Sequence, residues 1–312
     1  MDKSKLESKS KFLLFVEIFG DAVTFLFKLI VGILTNSTAV IAEAFHSLAD
    51  TTNQLFLLIG IETGKTPADK EHPFGYGKER FFWAFISALF IMIFCGGFSI
   101  YRGISRIIDP QQITNFKINF LILAIALIIQ TIVSRFSFKY FKTLTGKISS
   151  LKELIVKVRN VKEPLALNLW FGDLAGIGGN FVAIICLSLV LLTGKLVFDG
   201  IGSVIIGIIL VGLGWFLAVD SKELLIGEAV SPAMYNQIAR VIDSHPNVVK
   251  IIKLKTMYLT PTEVLITADL SFKAGLSTSQ IEKTIDQIES SIRKQFPSAT
   301  QIVIEAESLP EK

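Results

Sequence analysis

Six stretches of this chain, residues 12–34, 39–61, 81–104, 116–134, 165–193 and 199–219, are dominated by apolar side chains in unbroken blocks. Each is close to the ~20 residues that carry a helix across ~30 Å of hydrocarbon at 1.5 Å per residue. A soluble protein that is 51% hydrophobic with 25 Phe would interleave those residues with polar ones; the clustering therefore predicts an α-helical membrane protein with six transmembrane helices. The expected layout is an N-terminal tail over 1–11, a six-helix transmembrane domain over 12–219 and a C-terminal domain over 220–312. The first block starts at Phe12, runs on into further membrane and lacks a small-residue cleavage site, so it reads as a span and not as a signal peptide.

Loop charges orient the bundle. Six spans place residues 1–11, 62–80, 135–164 and the C-terminal tail on one side, and the first three of these segments carry 4, 4 and 8 Lys or Arg. The opposite loops hold four: Arg102, Arg106, Lys117 and Lys195. The positive-inside rule then makes both termini cytoplasmic, in a multi-pass protein expected in a prokaryotic plasma membrane. Spent on topology in this way, the basic residues argue against a nucleic-acid partner. Cys95 and Cys186 lie mid-helix and far apart, as small apolar packing residues.

Against this apolar background the ionisable residues stand out. His46 and Asp50 are one helical turn apart, with Glu43 three residues earlier on the same face. The first span carries Glu17, Asp21 and Lys28, and the fifth carries Asp173 with Asn180 seven residues on. Such groups are expensive in hydrocarbon and usually face a bundle interior or a polar path. The plain alternative is a set of polar helix–helix contacts. An imidazole with carboxylates also suits Zn²⁺ and related divalent ions. In the Pro- and Gly-rich loop at 62–80, Asp69 and His72 form a weaker candidate pair. No HExxH pattern accompanies the His–Asp pair, which argues against a metallohydrolase and against an enzyme.

From about Asp220 the composition becomes that of a small globular domain. A helix at ~233–244, strands at ~248–257 and ~262–271, a helix at ~278–295 and a strand around Gln301–Glu305 give the order α-β-β-α-β, a ferredoxin-like α+β domain. Ile281, Ile285, Ile288 and Ile292 mark the buried side of its second helix. A domain this small gains from dimerisation.

The run Glu43-Ala44-Phe45-His46-Ser47-Leu48-Ala49-Asp50-Thr51-Thr52-Asn53-Gln54, the loop His72-Pro73-Phe74-Gly75-Tyr76-Gly77 and the segment Phe198-Asp199-Gly200-Ile201-Gly202-Ser203 resemble the cation diffusion facilitator family. The likeness covers nearly the whole chain and is greatest to the branch of the mitochondrial zinc transporter nine. It implies a homodimeric, proton-coupled antiporter that exports divalent metal, Zn²⁺ first, from a site between helices 2 and 5. His46 and Asp50 match the helix 2 half of that site and Asp173 the second helix 5 ligand. The first helix 5 ligand falls on Leu169, leaving Asn168, Glu43 and Asp21 as candidate replacements. One His with carboxylates also suits Mn²⁺, so an Mn²⁺, Fe²⁺ or Co²⁺ exporter of the same family is an alternative, as is a non-transporting metal-sensing membrane partner.

Asp69 and His72 match two ligands of the family's loop site, with Tyr76 in place of the third. Asp269, Glu305 and Glu307 stand where zinc-binding tails often carry ligands, without a histidine among them. His245, before Pro246, reads as a cap or surface residue. Lys78 is expected to pair with Glu228 at the junction with the tail. The expected partners are divalent cations, protons, a second copy of the chain and membrane lipid; the metal is cargo, and no resident cofactor is expected.

Overall fold

A computed structural model describes residues 3–146, 150–160 and 164–307. Residues 1, 2 and 308–312 of the expected tails, and 147–149 and 161–163 of the basic connector, lie outside the described residues. The chain divides into two compact units, residues 1–66 with 79–222 and residues 67–78 with 223–312. The loop around 67–78 thus belongs with the C-terminal residues, although it lies between two spans in sequence.

The first unit is helical: α1 (Lys3–Thr35), α2 (Thr38–Thr63), α3 (Glu79–Phe90), α4 (Gly97–Ile108), α5 (Phe116–Thr145), α6 (Leu151–Asn160), α7 (Pro164–Thr193) and α8 (Val197–Ile226). Among the described residues, five stretches are long and apolar enough to cross a membrane: Glu17–Thr35 of α1, Glu79–Ile108 across α3 and α4, and all of α5, α7 and α8. The sixth span is α2, whose 26 residues reach about 39 Å. Its Glu43, His46, Asp50, Asn53 and Gln54 are buried and lower its apolar character. Large apolar side chains such as Phe19, Leu34, Phe94, Leu192 and Trp215 are exposed on the helices, as lipid-facing residues would be.

Two details depart from the sequence expectation. The third span is not one regular helix: a π-helical turn, Ile91–Gly96, separates α3 from α4. The fourth span continues as α5 to Thr145, past the expected end at 134, because no Gly or Pro interrupts it before Gly146. The connector that follows is partly helical through α6.

At the α1–α2 turn Asn36 takes a left-handed backbone conformation, φ +56°, and Ser37 caps α2 by accepting from the Val40 amide. Asp199, near the start of α8, is completely buried and reinforces this cap. It accepts from Ser37 Oγ, the Thr38 amide and hydroxyl and the Ala39 amide at 2.6–3.0 Å. Arg106 of α4 pairs with it at 3.3 Å and also donates to the Asn36 carbonyl. A negative charge here also meets the positive end of the α2 dipole.

Along α8, Gly200, Gly207 and Gly214 recur every seven residues and meet the α3–α4 span backbone to backbone. A Cβ on Gly200 would lie 2.7 Å from the Gly103 carbonyl, one on Gly207 2.9 Å from that of Gly96, and one on Gly214 2.7 Å from that of Ala88. This is the small-residue packing that lets membrane helices touch. Cys95 and Cys186 are buried and free, as packing residues are.

The second unit contains α9 (Pro232–Asp243), β1 (Val248–Thr260), β2 (Glu263–Phe272), α10 (Thr278–Gln295) and β3 (Ala299–Ala306). The sheet order is β1-β2-β3, with β1 antiparallel and β3 parallel to β2. The α-β-β-α-β order is that read from the sequence. Ile238 and Ile242 of α9 and Ile288 and Ile292 of α10 bury against Val264, Ile266, Ala268 and Leu270 of β2. Ser231 caps α9, and Ser277 with Gln280 forms a capping box on α10. Ile281 and Ile285 are only half-buried, at the margin of the face expected for them.

Candidate metal centre

Helix α2 presents His46 and Asp50 to the interior, with His46 Nε2 3.1 Å from Asp50 Oδ2 and both side chains at most 9% exposed. What they face is a helix stripped of side chains. On α7, Gly172, Gly176 and Gly179 fall at i, i+4 and i+7 on one face. A Cβ on Gly172 would stand 3.2 Å from Asp50 Oδ1, one on Gly176 2.6 Å from His46 Nε2, and one on Gly179 2.1 Å from Glu43 Oε1. These glycines make room for the polar side chains of α2. Asp173, beside Gly172, is buried, and among the described residues its Oδ2 has no hydrogen-bond partner, nor has His46 Nε2 one of good geometry.

Helix α1 supplies the other wall. Ser137 of α5 donates to Glu17 Oε1 at 2.7 Å, and Gln54 of α2 donates to Asp21 Oδ2 at 2.7 Å and to Glu17 Oε2 at 3.4 Å. Asp173 interacts electrostatically with Glu17, Asp21 and Asp50, and Asp21 with Asp50 and His46. Four carboxylates and one imidazole therefore converge inside the helical unit. Such a concentration of like charge in a low-dielectric interior favours a cation among them. Among the described residues, no group of three or more His, Cys, Asp or Glu side chains already encloses a metal-sized position. His46 and Asp50 are in contact, while Asp173 and Asp21 are close without closing on them.

The other candidate residues have definite places. Leu169 sits in an apolar cluster with Leu14, Leu57, Ile61, Ala84 and Leu165, so the family's usual ligand position is here part of a hydrophobic plug. Asn168 donates to the Pro164 carbonyl at 2.8 Å, with its Oδ1 buried and unpartnered. Glu43 is bound by Lys28 at 2.9 Å. Gln54, Ser137, Gln130 and Asn180 complete the polar lining, Asn180 donating to Gln130 Oε1 at 3.0 Å. Sequence reasoning placed none of Gln54, Ser137 or Gln130 at the site; Gln54, one turn beyond Asp50, carried a readable signal.

In the second unit Asp69 is committed to its own loop. It accepts from the His72 amide at 2.6 Å, the Glu71 amide at 2.9 Å and the Tyr76 hydroxyl at 2.9 Å. The His72 amide first, then the Tyr76 hydroxyl, hold its carboxyl below the usual range. The His72 ring lies 3.8 Å from Asp69 and packs on Tyr76. Lys78 Nζ donates to the Leu225 carbonyl at 3.3 Å. Asp269 and Glu305 are neighbours across β2 and β3, and Lys253 lies 4.0 Å from Asp269; Glu307 anchors its backbone to Leu270. His245 accepts from the Asn247 amide and contacts Gln287 at 3.0 Å, a surface bridge from the end of α9 to the middle of α10.

A model of the cation efflux transmembrane domain matches residues 14–226, and one of the cation efflux protein cytoplasmic domain matches residues 230–309. The chain is 29% identical over 282 residues to the proton-coupled zinc antiporter SLC30A9, mitochondrial, of Xenopus laevis, a match covering 89% of this chain and 50% of that protein. It is 24% identical to the cation-efflux pump FieF of Pectobacterium atrosepticum (90% and 87% covered) and 23% identical to the manganese efflux system protein MneP of Bacillus subtilis (96% and 97% covered). The chain spans about half the length of the vertebrate relatives it matches. These helices, their buried acids and the α-β-β-α-β tail are those of a multi-pass membrane protein of the cation efflux family, to which the chain belongs.

Proposed function

We propose that the chain is a proton-coupled exporter of divalent metal, with Zn²⁺ the foremost cargo and the binding site between α2 and α7. The observation that carries this is the bare glycine face of α7 opposite His46 and Asp50, with the unpartnered Asp173 Oδ2 beside it. His46, Asp50 and Asp173 are three ligands; Asp21 is the fourth, in place of Leu169. Asp21 interacts with His46, Asp50 and Asp173, whereas Glu43 is held by Lys28 and Asn168 turns to the Pro164 carbonyl. Binding draws the Asp21 and Asp173 carboxylates onto the His46–Asp50 pair. Metal entering from the cytoplasm is released on the other side when protons compete for the same groups, a competition in which an imidazole of ordinary pKa near 6.5 takes part at physiological pH.

The protein acts as a homodimer through its C-terminal domain, with no resident cofactor and no enzymatic reaction. Loop charge supports cytoplasmic termini, and likeness to two bacterial proteins over nearly the whole chain supports a prokaryotic plasma membrane. One imidazole among carboxylates keeps Mn²⁺ as the second cargo. In proteoliposomes, His46→Ala and Asp173→Ala should each abolish metal-driven proton flux; wild-type rates in both would refute the site. Uptake compared across Zn²⁺, Mn²⁺, Fe²⁺ and Co²⁺ ranks the cargo, and a pure wild-type protein that binds zinc without moving it would establish a sensor instead.

A further inference from the structure

Lys28 and Glu43 form an ion pair that the binding site above does not use. Both are sealed from solvent, at 1% and 0% exposure, with Nζ 2.9 Å from Glu43 Oε2. The ammonium also donates to Ser47 Oγ at 3.2 Å. A buried pair of this kind is seldom worth more than apolar packing of the same volume, and charges kept inside a helical bundle tend to mark an ion path. The pair lies beyond His46 on the way to the α1–α2 turn, since Lys28 follows Asp21 by seven residues and Glu43 precedes His46 by three. That is the extracytoplasmic direction from the central site.

Two features show that Glu43 is more than a partner for Lys28. Its Oε1 is buried with no hydrogen-bond partner among the described residues. That oxygen faces Gly179, so the bare face of α7 behind Asp50 and His46 continues as far as Glu43. Asn180 and Gln130 line the interval between the two positions. A carboxylate with one open oxygen, on a polar stripe one turn from a metal site, can receive a cation.

We propose that Glu43 is a second cation position on the extracytoplasmic side of the central site, with Lys28 as its resident cation, and that departing metal displaces the Lys28 ammonium from Glu43. The proposal rests on the transport reading above. Ser47 retains a hold on the ammonium while Glu43 is occupied by metal, and Lys28 returns once the metal has gone. A tethered cation thus keeps Glu43 from becoming a permanent ligand. Lys28 acts on the metal through Glu43 and is a positioning residue, so its removal should tighten binding and slow release together.

The test is zinc binding to the purified full-length protein in detergent, alongside zinc transport in proteoliposomes, for wild type, Lys28→Met, Glu43→Gln and the double variant. Lys28→Met should lower both the zinc Kd and the transport KM at least fivefold while lowering the maximal rate about tenfold. The double variant should bring Kd and KM back to wild type. An unchanged or weaker Kd in folded Lys28→Met overturns the proposal, because a merely structural pair would reduce rate and stability without tightening zinc. If Lys28→Met does not fold, Glu43→Gln decides: a several-fold lower maximal rate with unchanged Kd is expected, and a wild-type rate overturns it. A wild type that binds zinc but does not transport it would refute the transport reading, while the Kd comparison still tests whether Lys28 guards Glu43.

Discussion

Two helices of this protein use glycine for opposite ends. On α8, Gly200, Gly207 and Gly214 meet the backbone of the α3–α4 span, with carbonyl oxygens at 2.7–2.9 Å from where a Cβ would be. On α7, Gly172, Gly176 and Gly179 meet the polar ends of Asp50, His46, Gln130 and Glu43. The first seam lets two backbones close on each other; the second leaves a lane for side chains that handle charge. A Cβ would therefore meet backbone in one seam and the ends of polar side chains in the other. Glycine content alone does not tell a packing surface from a site, and what lies opposite each glycine does.

The largest break in this comparison should come from Gly176→Ala. Its Cβ would fall 1.8 Å from Gln130 Nε2 and 2.6 Å from His46 Nε2, both at the ends of side chains able to swing aside. The fold should survive while the imidazole is displaced, so zinc transport is expected to fall at least tenfold (about 1.4 kcal/mol of binding or barrier) with little change in thermal unfolding. Wild-type transport would mean that the α7 lane is not the metal path. Next comes Gly207→Ala, whose Cβ would meet the Ile100 amide at 2.8 Å and the Gly96 carbonyl at 2.9 Å. Backbone cannot step aside as a side chain does, so a stability loss of about 1–3 kcal/mol is expected, with an unchanged transport KM in the protein that folds. A shifted KM without loss of stability would erase the contrast.

Gly178→Ala and Gly212→Ala sharpen it, since nothing lies within 4 Å of either Cβ position. Both should match wild type in transport, and neither should lower the unfolding temperature, because Ala is the better helix former. The smallest effect concerns the Asp69 loop. A carboxyl held below its ordinary pKa adds stability that is complete above that ordinary value, about 3.9, and is lost as pH falls through the lowered one. Hydrogen exchange at the His72 amide should stay slow at neutral pH and quicken, after correction for intrinsic rate, only below about pH 4. In Asp69→Asn that acid-dependent step should disappear.

Much of the site was legible because hydrocarbon penalises charge so heavily that His46, Asp50 and Asp173 could scarcely be incidental. The i, i+4 spacing put the first two on one face, and the structure places them 3.1 Å apart. Gln54 lay one turn beyond Asp50, but neither it nor Ser137 announced a partner: a lone amide or hydroxyl in a membrane helix is cheap enough to be ordinary. Their roles at Asp21 and Glu17 arise only when α2 and α5 meet α1. Leu169, where the resemblance puts a ligand that this chain lacks, packs in an apolar cluster, a place that no local pattern announced. The π-helical turn in the third span left no mark in composition, because it changes hydrogen-bond pairing and not residue type.

By itself the sequence determined the class of molecule: block length marks a chain of membrane-crossing helices, since the cost of burying backbone and charge in lipid is decided locally, segment by segment. It also determined the α-β-β-α-β order of the tail, through periodicities of two and 3.6 and through clear caps. Tertiary structure alone decided which polar residues share a layer. Helix rotation and axial offset depend on packing between segments far apart in sequence, as when Asp199 of α8 caps α2 and Gly176 of α7 opens onto His46. That packing brought a scatter of costly side chains together against one face of α7.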